Sequence, residues 1–137
     1  MKRRDFLSAV PYTGWSAAAA IALAFAVMLG AFGAHGLRGR LDAYSMGIWE
    51  KAVFYHFIHA LGILIVSTLP RAGMLSWTAA AWVCGLLLAG IVIFSGSLYV
   101  LATTGIRILG AITPIGGLSF IAGWALLAYA LLGMSKK

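Results

Sequence analysis

The sequence predicts an all-α integral membrane protein, a bundle of four transmembrane helices with both termini on the cytoplasmic side. Three observations lead there. The 137 residues are 63% hydrophobic and only 9% charged, with a mean hydropathy of +1.00. A soluble chain of this size cannot hide so much apolar surface, so lipid must be the solvent for most of it. The apolar residues fall into four long runs, each able to cross a ~30 Å hydrocarbon core at about 1.5 Å of helical rise per residue. The runs lack the short period-two alternation that marks the strands of a β-barrel.

In chain order, a basic segment (1–14) precedes one membrane domain (15–133) and a basic tail (134–137). The start, Arg3-Arg4-Asp5-Phe6-Leu7, is similar to a twin-arginine export signal. Such a signal precedes a soluble domain, and an apolar one follows here, so a cytoplasmic anchor for the first span is the better account. The first span (15–34) carries no charge, and Ala18, Ala22, Ala26, Gly30 and Ala34 recur every fourth residue. Small residues in a stripe admit a neighbouring helix closely, which places this helix at the centre of the bundle or at an oligomer contact. A loop (35–48) holds His35, Arg38, Arg40 and Asp42.

The second span (49–69) has Glu50 and Lys51 at its mouth and Tyr55, His56 and His59 inside. Pro70-Arg71-Ala72-Gly73 reads as a tight turn. The third span (75–101) is longer than a bilayer needs, which calls for tilt or an extension beyond it. Ala81, Gly85 and Ala89 give it a second small-residue stripe, continued by Gly96. Cys84, the sole cysteine, excludes an internal disulfide and a thiolate metal site and reads as a packing residue. A second loop (102–112) carries Thr103, Thr104, Gly105 and Arg107. The fourth span (113–133) starts at Thr113-Pro114, since proline suits the first turn of a helix.

Charge sets the orientation. Lys2, Arg3, Arg4, Arg71, Lys136 and Lys137 share the terminal side; Arg38, Arg40 and Arg107 share the other, with Lys51 at its boundary. The excess puts both termini of this multi-pass chain in the cytoplasm. It also accounts for the net charge of +7. No basic face is left to follow a phosphate backbone, so no nucleic-acid partner is expected.

Four spans bring both long loops to one end of the bundle, whichever way it faces. His35, Arg38, Glu50, Ser95, Ser97, Tyr99 and Arg107 converge there. His56 and His59, three apart, lie about 60° from one another around a helix. Measured from Trp49 they sit about 10 and 15 Å into the membrane. Ionisable groups at such depth are candidates for a proton relay, a quinone or lipid head-group contact, or part of a metal site. The structural alternative is a neutral imidazole bonded to a neighbouring helix. A metal needs a third ligand, and Glu50, nine residues before His59, points to the opposite helix face, so no metal or cofactor is expected.

Glu50 can pair with Arg38, Arg40 or Arg107 and hold the loops together, or sit solvated where a negative charge suits a helix start. Arg107 can bind an anionic head group or snorkel. Ser95 and Ser97 can offer hydroxyls to a ligand or let helices close up. Trp15, Trp49, Trp77 and Tyr99 read as interface anchors, and Trp82 and Trp124 as packing between helices.

Several stretches together resemble a known family: Gly30-Ala31-Phe32-Gly33-Ala34-His35-Gly36-Leu37, Tyr55-His56-Phe57-Ile58-His59-Ala60-Leu61 after Trp49, Phe94-Ser95-Gly96-Ser97-Leu98-Tyr99, Thr113-Pro114-Ile115-Gly116-Gly117 and Gly123-Trp124. They look like the domain of unknown function 423, the small four-helix membrane proteins that include transmembrane protein 256. The resemblance runs from about residue 15 to 133 and leaves out the start before Pro11. It implies a small integral membrane protein, of the inner membrane in bacteria, with no assigned activity to carry over.

Three functions fit these residues. The first is an accessory protein that packs, among membrane lipids, as a homo-oligomer or against a larger membrane complex through its small-residue stripes. The second is a binding module for a lipid, quinone or other amphipathic ligand in a pocket of His35, His56, His59, Ser95, Ser97, Tyr99 and Arg107. The third is a small proton-coupled transporter, which lacks a mid-membrane acid and a visible inverted repeat. An enzyme has least support, because no nucleophile, acid pair or metal set is assembled.

Overall fold

The computed structural model describes residues 13–134, and the twin-arginine-like start and the closing lysines lie outside the described residues. The fold is all-α, and its four rods are each long and apolar enough to cross a membrane. Helix α1 (Thr13–Phe32) runs into a π-helical turn, Gly33–Leu37. Helix α2 (Ala43–Thr68) ends in a 3-10 turn, Leu69–Ala72. Helix α3 (Trp77–Gly90) continues through a second π turn, Ile91–Ser95, into α4 (Gly96–Thr104), so the third span is one rod with a bulge. Helix α5 (Ile108–Met134) is the fourth span.

Local chemistry explains the ends. Asp42 caps α2, its Oδ1 accepting the Ser45 N–H at 2.7 Å. Ser76 caps α3, its hydroxyl accepting the Ala79 N–H at 3.1 Å. Each satisfies one of the orphan donors of a first turn. Gly73 and Gly105 close the preceding helices in the left-handed conformation, at φ 69° and 71°, which a side chain would disfavour.

The loops are much shorter than the sequence suggested. Only Arg38–Asp42 separates the first two rods, and only Gly105–Arg107 the last two. Pro114 therefore does not start the fourth helix. With Gly105 ending α4, α5 begins at Ile108 and Pro114 lies inside it. Its ring offers no N–H to the Gly110 carbonyl, a vacancy that membrane helices tolerate.

The second and third spans form the centre. Of their apolar windows 44% and 39% is buried, against 22% and 17% for the first and fourth. Helix α1 lies mainly along α2, and α5 along α3, the π turn and α4. The first helix is thus peripheral, which corrects the central one of its two expected places and leaves the oligomer contact as the other.

Its stripe is corrected too. Ala22 and Ala26 are buried, Ala18 and Gly30 half-buried, and Ala34 exposed. The face that packs is Ala19, Ala22, Ala26, Gly33 and Leu37. A step of four advances 400°, so a strict i+4 row drifts about 40° per step. Five such positions leave the contact that alternating steps of three and four keep. In the third span Ala81, Gly85 and Ala89 are half-buried for a similar reason, while Ala80, Val83, Cys84, Leu87 and Gly90 face inward.

Polar ties join the rods where packing alone would let them slide. Ser16 and Ser67 hydroxyls meet at 2.9 Å between α1 and α2. The Ser119 hydroxyl donates to the Leu86 carbonyl at 2.7 Å between α5 and α3. Cys84 is fully buried, its thiol 3.8 Å from the Ile63 carbonyl. It is the packing residue expected.

Candidate functional site

His56 is buried on α2, and its Nδ1 lies 3.2 Å from the Tyr99 hydroxyl on α4. This bond ties α2 to α4, whichever partner donates.

His59 bonds within its own helix. Its Nδ1–H donates to the Tyr55 carbonyl one turn back, at 2.7 Å. Its ring stacks on Phe120 of α5, with centroids 3.4 Å apart and planes at 13°. Tyr55 and Trp124 complete the aromatic surround. The 60° between the two histidines sends one toward α1 and α4 and the other toward α5. They share a layer of the membrane but no common ligand space.

Ser97 and Thr113 hydroxyls meet at 2.8 Å, joining α4 to α5. Thr113 also donates to the Leu109 carbonyl at 3.0 Å or, alternatively, to Ser97, which can then donate to the Phe94 carbonyl. Ser95 is fully buried in the π turn, and its hydroxyl has no partner among the described residues. Helical serines and threonines ordinarily bond back to a carbonyl one turn earlier. At Ser95 the bulge redirects that ladder, and the Ile91 carbonyl already accepts the Gly96 N–H.

The expected pocket therefore divides. His56, Tyr99, Ser95 and Ser97 belong to the packed interior, whereas His35, Arg38 and Arg107 are exposed at the loop end. Glu50 is also exposed and makes no ion pair with Arg38, Arg40 or Arg107 among the described residues. Glu50 and Arg107 line separate cavities.

The first cavity is a lateral groove of about 370 Å³ between α1 and α2. Gly30, Gly33 and Ala34 form one wall; Met46, Trp49, Val53, Phe54 and Phe57 form the other, with Glu50 among them. The second is a cleft of about 500 Å³ where Tyr44, Ser45, Leu101, Gly105, Arg107 and Gly110 meet. Among the described residues no group of three or more His, Cys, Asp or Glu side chains could hold a metal ion.

Sequence reasoning placed Trp49 at the interface, but it is buried. Its Nε1–H donates to the Leu29 carbonyl at 3.0 Å, and its ring lies 4.7 Å from that of Tyr99. A Cβ added at Gly33 would stand 2.7 Å from Trp49 Cδ1. Indole and glycine are thus matched across α1 and α2, and a glycine one turn from another in an apolar helix was the available signal. Trp82, expected between helices, is 66% exposed. Trp124 is 39% exposed, with one edge of its ring against Gly62. Thr113, read only as a helix start, is a buried hydrogen-bond partner.

The first π turn, Gly33–Leu37, lies in a glycine-rich motif, and the second, Ile91–Ser95, overlaps the start of the Phe94–Tyr99 motif. A family profile described as protein of unknown function (DUF423) matches residues 29–117, which contain both turns, His56, His59, Tyr99 and the groove. The chain belongs to this family. It is 53% identical over 108 residues to a UPF0382 membrane protein of Staphylococcus haemolyticus, covering 79% of this chain and 86% of that one. It is 50% identical over 113 residues to the UPF0382 membrane protein YwdK of Bacillus subtilis, covering 81% and 89%. No solved structure matches.

Proposed function

We propose that this DUF423 protein is a binding module for an amphipathic molecule of the bilayer, taken up in the groove between the first two spans. The observation that supports the reading is the groove itself. Glycine and alanine on α1 leave space that Trp49, Phe54 and Phe57 on α2 bound but do not fill. Its lining is apolar apart from a carboxylate near the loop end, as suits a ligand with an oily body and a polar head. The histidines serve in this reading as interhelical ties rather than ligand contacts.

Native mass spectrometry after gentle extraction tests it. A discrete bound mass that is lost in Ala34→Trp, which fills the groove from an exposed position, supports the reading. A bound mass indifferent to that variant, or bulk lipid alone, removes it.

A second reading is an accessory subunit that packs against its own copy or a larger complex. The half-exposed flank of Ala81, Gly85 and Ala89 favours it. A protein that stays monomeric and without partners under mild crosslinking would sink that reading. For either we propose the inner (plasma) membrane with both termini inside, supported by the basic residues at the terminal end. Reporter fusions after residue 134 and within 38–42 check the orientation.

A further inference from the structure

Among the described residues Glu50 is the only acidic side chain lining the α1–α2 groove. The chain has just three acids against ten lysines and arginines. Asp5 lies outside the described residues, and Asp42 is engaged as the α2 cap. Glu50 alone is left exposed and without an ion pair among the described residues, although Lys51 is its neighbour in sequence.

Position matters as much as charge. Glu50 stands about 10 Å along α2 from Ala43, at the depth where head groups give way to hydrocarbon. Phe57 lies about 10 Å deeper on the same helix. The groove therefore offers a carboxylate at its shallow end and an apolar wall of Gly30, Val53 and Phe57 below. Four cations stand exposed at this end of the bundle, Arg38, Arg40, Lys51 and Arg107.

We propose that the groove selects a membrane lipid whose head group ends in a primary ammonium, with the ammonium on Glu50 and an acyl chain along Gly30, Val53 and Phe57. This rests on the groove reading above and adds the head-group chemistry. A protonated primary amine donates charge-assisted N–H···O bonds to a carboxylate. A quaternary ammonium of the same charge has no N–H to give. The exposed basic residues can receive the lipid phosphate, which would otherwise face Glu50 uncompensated. An anionic head group without an amine would meet the carboxylate as a like charge.

The experiment uses the full chain in detergent micelles, delipidated and then titrated with an equimolar mixture of phosphatidylethanolamine, phosphatidylcholine and phosphatidylglycerol of identical acyl chains. Native mass spectrometry reads the adducts. Wild type is expected to favour phosphatidylethanolamine over phosphatidylcholine by about tenfold, the scale of one hydrogen bond to a charged group. Glu50→Gln, at an exposed position, should erase that preference while still binding lipid. Ala34→Trp should lose the adducts of all three. Equal adducts of the three lipids, lost only in Ala34→Trp, would overturn the head-group assignment and leave the groove reading standing. Adducts that survive Ala34→Trp would overturn both. A preference for phosphatidylglycerol, or a dimer mass that Ala34→Trp abolishes, would also overturn the proposal, in favour of the basic loop or a second copy. Circular dichroism of both variants confirms that the fold is retained.

Discussion

His56 and Tyr99 meet across the bundle, imidazole Nδ1 to phenolic oxygen at 3.2 Å, although 43 residues separate them in sequence. The pair pins the second span to the third at the layer where Trp49 packs against Tyr99. Tyr99→Phe removes the hydroxyl and leaves a buried ring nitrogen of His56 unmet. Interhelical hydrogen bonds in bilayers are modest, so a loss of about 1 kcal/mol is expected. His56→Phe removes the same bond from the other side and should cost about as much. The double variant should fall short of the summed losses. Reversible unfolding in mixed micelles measures all three, and strict additivity would show that the pair is not coupled.

Ser95 and Ser97 predict opposite outcomes from the same substitution. Ser95→Ala deletes a buried hydroxyl that has no partner among the described residues, and should stabilise by about 1 kcal/mol. Ser97→Ala breaks the link to Thr113 and should destabilise by a similar ~1 kcal/mol. Unfolding midpoints that move the same way would contradict this assignment.

Gly116 and Gly96 form a second contrast. A methyl group at Gly116 would lie 2.7 Å from Phe94 Cβ and 2.8 Å from its Cα, backbone that cannot step aside. Gly116→Ala should cost about 1–3 kcal/mol by overpacking. At Gly96 an added Cβ meets nothing within 4 Å. Gly96→Ala should be neutral or stabilising by up to ~1 kcal/mol, the helix propensity gained. Paired thermal melts decide whether the bulge at Phe94 is as closely packed as these distances require.

Asp42 predicts a pH dependence. The Ser45 backbone N–H, and then its hydroxyl, hold the Asp42 carboxylate below its ordinary value. A lowered folded-state pKa means that the stabilisation is present above the unfolded value and is lost as pH falls through the folded one. Asp42→Asn keeps a capping oxygen without the charge, so its melting temperature should lose part of the wild-type decline below about pH 4. Asp42→Ala should lower the melting temperature at neutral pH as well. Identical acid profiles for wild type and Asp42→Asn would place the acid sensitivity elsewhere.

Much of this molecule was legible in its sequence, and the physical reason is locality. Whether a run of residues crosses a membrane depends on its own length and apolarity against a fixed thickness of hydrocarbon, so four rods could be counted directly. The Pro70–Gly73 turn and the packing role of Cys84 follow from equally local chemistry. The partners of His56, Ser97 and Trp49 were not legible, because they lie on other helices and depend on how each rod is rotated about its axis. A small-residue row stepping by four cannot reveal that rotation, since it winds away from any straight contact. The tertiary structure decided it, and with it the separation of Glu50 from Arg107, the inward turn of Trp49 and the lateral groove. Hydrophobicity selects the membrane, but inside the membrane every face is apolar. There only close packing and the few buried hydrogen bonds distinguish one helix face from another.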